Sequence, residues 1–189
     1  RRINALFEND GSGNYTNSTE SRGMVVYEQS WTSDFADIDN DGDFDLYLTN
    51  HSNTAMILEN DGAGNFTDIT EGSGIEVGGF YLQAKMADFD NDGFVDLVYS
   101  GGLHAYYKGN GDGTFTELPG TFPGDDTMHS LSVGDLNKDG HLDLYASYGN
   151  GYVNPDYSNP DRLWMNDGND NNWIAFDLNG VMSNINAIG

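Results

Sequence analysis

The chain has 189 residues, 37% of them hydrophobic and 13% aromatic, which suits one ordinary core and is too apolar for a disordered acidic tail. Asp and Glu number 31 against 7 Lys and Arg, a formal charge of −24. That balance excludes nucleic acid and anionic membranes as partners, because both are bound through basic side chains. There is no cysteine, and no apolar run reaches the ~18 residues of a membrane span.

The chain opens Arg1-Arg2-Ile3-Asn4, without an initiator methionine or signal peptide, and ends at Ala187-Ile188-Gly189 in strand-like sequence. Both ends read as cut, so further chain is expected outside this segment. The first clear element is a glycine hairpin, Asn9-Asp10-Gly11-Ser12-Gly13-Asn14. It returns as Asn60-Asp61-Gly62-Ala63-Gly64-Asn65, as Gly109-Asn110-Gly111-Asp112-Gly113-Thr114, and in divergent form as Asn166-Asp167-Gly168. Between these hairpins lies an aspartate loop followed by an apolar run. It spans Asp37 to Asp45 before Leu46-Tyr47-Leu48, Asp88 to Asp96 before Leu97-Val98-Tyr99, and Asp135 to Asp143 before Leu144-Tyr145-Ala146. The loops start 51 and 47 residues apart, and Gly11, Gly62, Gly111 and Gly168 are 51, 49 and 57 residues apart. Two unrelated signatures sharing one period indicate tandem duplication.

Each repeat reads as four short strands: one enters the aspartate loop, one leaves it, one enters the hairpin and one leaves it. Sustained 3.6-residue periodicity is missing, so the fold class is all-β with little helix. Four strands per unit of about 50 residues match a β-propeller blade. Counted this way, residues 1–24 form the outer half of one blade, and 25–75, 76–124 and 125–178 form three fuller ones, about three and a half blades in all. An all-β sandwich is the alternative, but it does not require two interleaved signatures at one period. An open half-ring of this kind is expected to expose inter-blade apolar faces bearing residues such as Phe35, Leu97 and Leu144.

Carboxylates at positions 1, 3, 5 and 9 of a tight loop converge oxygens on one point, which suits a hard cation such as Ca²⁺. The candidate ligands are Asp37, Asp39, Asp41 and Asp45; Asp88, Asp90, Asp92 and Asp96; and Asp135, Asn137, Asp139 and Asp143. Position 7 (Asp43, Phe94, His141) varies in side chain, as a backbone-carbonyl ligand may, and position 6 is always glycine (Gly42, Gly93, Gly140). Position 12 is Leu48, Tyr99 or Ala146 rather than Glu, which excludes an EF-hand. Three calcium sites are expected, the third weakest because Asn137 replaces a carboxylate and Lys138 lies beside it. Metal-free Asx turns are the alternative, but the mutual repulsion of twelve acids in three nine-residue loops argues against them.

These loops and hairpins resemble the FG-GAP/VCBS repeats of integrin α-subunit propellers and bacterial secreted proteins. At the C-terminus, 172–189 (Asn172-Trp173-Ile174-Ala175-Phe176-Asp177-Leu178-Asn179-Gly180, then Ser183-Asn184) resembles the start of an ASPIC/UnbV module, as in the cartilage acidic protein family. Ile185 stands where that family commonly has arginine. The resemblance implies a calcium-stabilised extracellular or cell-surface propeller, commonly seven-bladed, with no defined catalysis.

The leading functional expectation is a non-catalytic adhesion or structural scaffold with a protein or carbohydrate partner. The alternatives are the propeller of a secreted polysaccharide lyase and a subunit of an extracellular filament or surface layer. An enzyme needs a convergent acid/base pair, and His51, His104, His129 and His141 are scattered among no recognisable catalytic motif. Tyr145, Tyr148, Tyr152 and Tyr157 are candidates for stacking on sugars or packing between blades. Asn14, Asn17, Asn50 and Asn65 head Asn-x-Ser/Thr sequons, sites for glycosylation if the source performs it.

Overall fold

The computed structural model describes residues 4–50, 55–76, 78–102, 104–124, 126–149 and 157–174. His51, Tyr152 and the segment from 175 onward, which holds most of the expected ASPIC/UnbV start, lie outside them. Among the described residues there is no helix.

A short hairpin comes first, β1 (Phe7–Asn9) against β2 (Tyr15–Asn17). A four-stranded antiparallel sheet follows, β3 (Ser30–Ala36), β4 (Asp45–Asn50), β5 (Ala55–Asn60) and β6 (Phe66–Asp68), paired in that order. The pattern repeats in β7 (Tyr81–Ala87), β8 (Asp96–Gly101), β9 (Ala105–Gly109) and β10 (Phe115–Glu117). Then come β11 (Met128–Gly134), β12 (Asp143–Tyr148) and β13 (Arg162–Trp164), which a single pairing of Met128 with Gly101 joins to the preceding strands.

Strands β4 and β8 are buried along their whole length. Successive side chains point to opposite faces of a strand, so each sheet must be covered on both sides. Leu46 and Leu58 pack with Met24 toward the N-terminal hairpin, whereas their neighbours Tyr47 and Ile57 pack with Tyr81, Leu97, Tyr99 and Tyr107 of the next repeat. Val98 turns the other way, to Met128, Leu131, Leu144 and Ala146. The core is therefore a series of layers between consecutive sheets. Leu97 and Leu144, expected on an exposed face, are 0% and 4% exposed because the neighbouring sheet covers them; Phe35 remains 47% exposed.

This packing places the three aspartate loops at equivalent points, each between the first two strands of its repeat. It also brings successive loops together. The Asn40 amide donates to the Gly93 carbonyl (3.4 Å), and the Asn91 amide donates to the Gly140 carbonyl (3.0 Å).

Candidate metal centres

The three loops share one internal hydrogen-bond pattern. The position-1 carboxylate accepts the backbone N–H groups of positions 5 and 6, from Asp41 and Gly42 to Asp37 (both 3.1 Å) and from Asp92 and Gly93 to Asp88 (3.1 and 2.9 Å). Asp135 takes Asp139 and Gly140 in the same way (3.2 and 3.0 Å). Position 3 accepts the position-5 N–H through Asp39 Oδ1, Asp90 Oδ1 or Asn137 Oδ1, so an amide serves this backbone role as well as a carboxylate. Position 5 accepts the N–H of position 7 through Asp41, Asp92 or Asp139. The turn passes through the left-handed region at Asn40, Asn91 and Lys138 (φ 61°, 56° and 65°) and again at Gly42, Gly93 and Gly140. Asparagine tolerates that conformation better than lysine, so the third loop carries strain that the first two lack.

Position 9 has a role that the spacing alone did not reveal. Asp45, Asp96 and Asp143 are buried at the start of β4, β8 and β12. Each carboxylate spans two elements. Asp45 accepts the N–H of Ile38 and of Asn60 (3.0 and 2.8 Å), Asp96 those of Phe89 and Gly109 (both 2.9 Å), and Asp143 those of Leu136 and Asn166 (both 2.9 Å). Asp96 also accepts the Tyr106 hydroxyl (2.7 Å). The residue is thus a clip between aspartate loop and glycine hairpin. Burial pushes the Asp45 and Asp96 carboxyls above the usual aspartate value, against the lowering effect of these hydrogen bonds.

Position 7 meets the hairpin glycine of its own repeat. A Cβ on Gly111 would lie 2.3 Å from the Phe94 ring, one on Gly168 2.8 Å from His141, and one on Gly62 3.3 Å from Asp43 Oδ2. The side chain may vary because a missing Cβ leaves room for it. Asp43 is pushed upward first by burial and then by the charges of Asp41, Asp39 and Asp37. His141 brings Nδ1 to 3.0 Å from the Asn91 amide, so its ring joins two repeats.

Carboxylate oxygens of Asp37, Asp39 and Asp45 lie within 4.8 Å of one another, and so do those of Asp88, Asp90 and Asp96. Both sets contain oxygen donors alone, which suits a hard divalent cation and not a soft one. Positions 1, 3 and 9 thus come together twice. Asp41 and Asp92 stand outside these trios, each with one oxygen on the position-7 N–H. The third loop brings Asp135, Asp139 and Asp143 into the same fold, but Asn137 leaves it without a corresponding acidic trio among the described residues.

A basic side chain from β9 reaches the second loop. Lys108 Nζ, on β9, contacts Asp90 Oδ2 and lies 2.7 Å from Asp92 Oδ2. Burial works to raise the Asp92 carboxyl, but Lys108 and the Phe94 N–H outweigh it and hold the group below its ordinary value. The two carboxylates in turn raise the Lys108 ammonium well above the usual lysine range.

The remaining candidates have local structural partners. Asn14 and Asn65 donate their amides across the hairpin turn to Asp10 and Asp61 (both 2.8 Å), and Asn17 accepts the Thr19 hydroxyl (2.7 Å). Asn50 is fully buried and accepts the Ser30 hydroxyl at 2.6 Å, which closes it to a glycan in the folded chain. His104 packs against the Phe122 and Tyr148 rings, and His129 Nε2 lies 3.2 Å from the Gly149 carbonyl. Tyr148 is buried under the Arg162 guanidinium (4.1 Å) and so is withdrawn from sugar stacking. Tyr145 is tied to Asp161, and Tyr157 is exposed.

No curated protein matches the chain. The model of the FG-GAP-like repeat family matches residues 37–99 and again 99–146, which include all three aspartate loops and more than half of the sequence. With its antiparallel sheets in series and its acidic loops at equivalent points, the chain belongs to the FG-GAP-like repeat family.

Proposed function

We propose that the chain is a calcium-stabilised β-propeller segment of extracellular type, a non-catalytic scaffold whose surface meets a protein or carbohydrate partner. The observation that carries this reading is the pair of carboxylate trios, Asp37/Asp39/Asp45 and Asp88/Asp90/Asp96, set in equivalent loops of successive repeats. A calcium ion would supply a divalent positive charge to such trios and tie three points of each loop together. Asp37 and Asp88 would contribute from the loop entrance, Asp39 and Asp90 from its middle, and Asp45 and Asp96 from the clip to the hairpin. Extracellular calcium is abundant enough to fill sites of moderate affinity, which supports a location outside the cell. The histidines His104, His129 and His141 are engaged in packing and inter-repeat contacts, which favours the scaffold over the lyase.

The test is thermal unfolding in calcium and in chelator. A site with a Kd of roughly 0.1 mM in about 2 mM calcium gains on the order of 1.8 kcal/mol. Two such sites shift the Tm of a chain this size by on the order of 10 °C. Superimposable melting curves with and without calcium would sink the metal assignment.

A further inference from the structure

We infer that Lys108 is a tethered counter-cation of the second aspartate loop, which keeps that loop in binding shape without a metal and lowers its affinity for a divalent cation below that of the first. The inference rests on the calcium reading above and adds an internal competitor to one site.

The first observation is how the oxygens are used. In Asp90 and Asp92, Oδ1 accepts a loop N–H, from Asp92 and Phe94 respectively, and Oδ2 faces Lys108 Nζ. In the first loop Asp39 Oδ1 and Asp41 Oδ1 accept the equivalent N–H groups. There, among the described residues, no lysine or arginine pairs with either carboxylate.

The second observation is register. Leu58 pairs with Leu46, Tyr107 with Leu97 and Trp164 with Leu144, so Glu59, Lys108 and Met165 occupy one position in three successive repeats. That position is acidic in the first repeat, basic in the second, where Lys108 pairs with Asp90 and Asp92, and neutral in the third.

The chemistry of the two cations differs. An ammonium carries one charge on a flexible stem and engages two carboxylates here, leaving Asp88 to its backbone donors and Asp96 to backbone donors and the Tyr106 hydroxyl. A divalent ion gathers more oxygens, and in doing so it competes with Nζ for Asp90 and Asp92. The Lys108 side chain is 34% exposed, so it has a route to solvent when displaced. Partial exposure also limits the effect: an ion pair in this setting corresponds to roughly a three- to tenfold change in affinity.

The experiment is calorimetric titration with CaCl2 of the wild type, Lys108→Met and Glu59→Lys, together with Lys108→Met in an Asp39→Asn background to isolate the second loop. Melting curves in chelator are recorded for all four. Lys108→Met is expected to tighten the weaker site by roughly three- to tenfold and leave the tighter one unchanged. Glu59→Lys is expected to weaken the tighter site by a similar factor. In chelator Lys108→Met should melt below the wild type, because Asp90 and Asp92 lose their counter-charge, and calcium should remove that deficit. Calcium binding with unchanged affinities in both variants overturns the role of Lys108 and leaves the calcium reading standing. The absence of calcium heat in every protein overturns the calcium reading and this inference together. A lower Tm for Lys108→Met that calcium does not restore assigns Lys108 a purely structural role and also overturns it.

Discussion

The first aspartate loop, residues 37–45, and the third, residues 135–143, fold alike but offer a cation different chemistry. In both, the position-1 carboxylate accepts the N–H groups of positions 5 and 6, with the Lys138 N–H added in the third, and both bury a position-9 aspartate that clips the loop to its glycine hairpin. The first has aspartate at all five odd positions. The third has Asn137 and His141 at two of them, and it places a lysine in the left-handed turn. Loop shape is thus encoded by acceptor oxygens and glycine, and it survives the exchange of Asp for Asn at position 3. On the calcium reading proposed above, metal affinity would instead follow how many of those acceptors are charged.

The largest expected effect tests whether the clip is independent of metal. Asp45→Ala and Asp143→Ala each leave two N–H donors without their acceptor, a loss of about 2–4 kcal/mol, and Asp96→Ala loses more because Tyr106 is orphaned too. Denaturant unfolding in chelator should find comparable losses in the first and third repeats. A loss at Asp45 alone would break the proposed equivalence.

Glycine comes next. Gly111→Ala meets Phe94 at 2.3 Å as well as a φ of +75°, whereas Gly62→Ala, at the same φ, meets only a carboxylate oxygen at 3.3 Å. The first should cost about 1–3 kcal/mol and the second less. Equal losses by equilibrium unfolding would show that backbone strain, and not the position-7 side chain, sets the requirement for glycine.

Metal dependence should separate the loops. Asp39→Asn should remove one site's share of the calcium-induced stabilisation, on the order of 1.8 kcal/mol at the affinity assumed above. Asp139→Asn should change it by less than about 0.5 kcal/mol, because the third loop already lacks an acidic trio. Equal shifts in differential scanning calorimetry would mean that charge number does not grade these sites.

The smallest effect concerns pH. The folded carboxyls of Asp45 and Asp96 sit above the ordinary aspartate value of 3.8, so between that value and their own they hold protons that the unfolded chain has released. Their contribution therefore falls as pH rises through that window, and the calcium-free protein should gain stability from these two groups as pH falls toward 3.8 through their raised folded values. Asp92 has the opposite sign: its contribution is present above 3.8 and is lost only as pH falls through its lower folded value, so it does not offset the gain. With calcium bound the aspartates are held ionised, and the gain should vanish or reverse. Melting curves across this range, with and without calcium, make the check.

The period, the strands and the turn chemistry were legible in the sequence because each depends on residues close together in the chain. Asp37, Asp39, Gly42 and Asp45 lie within nine positions, and Asn9-Asp10-Gly11 within three. Local spacing also pointed to acidic side chains converging at positions 1, 3, 5 and 9, of which 1, 3 and 9 come together in the first two loops. The rest depends on what a neighbouring strand or sheet brings into contact. Asp96 becomes a clip because Gly109, on another strand, lies beside it; Lys108 reaches Asp90 across 18 positions of sequence; and Asn91 meets Gly140 only because two sheets stack. Asn50 looks like any other sequon until β4 is covered on both faces. The sequence by itself determined the repeat, the loop shape and the oxygen chemistry, since those follow from local acceptors and backbone freedom. Only the tertiary structure decided which carboxylates are buried, which are neutralised by a side chain and which stand ready for a cation, because burial and Coulomb interactions depend on distance in space and not along the chain.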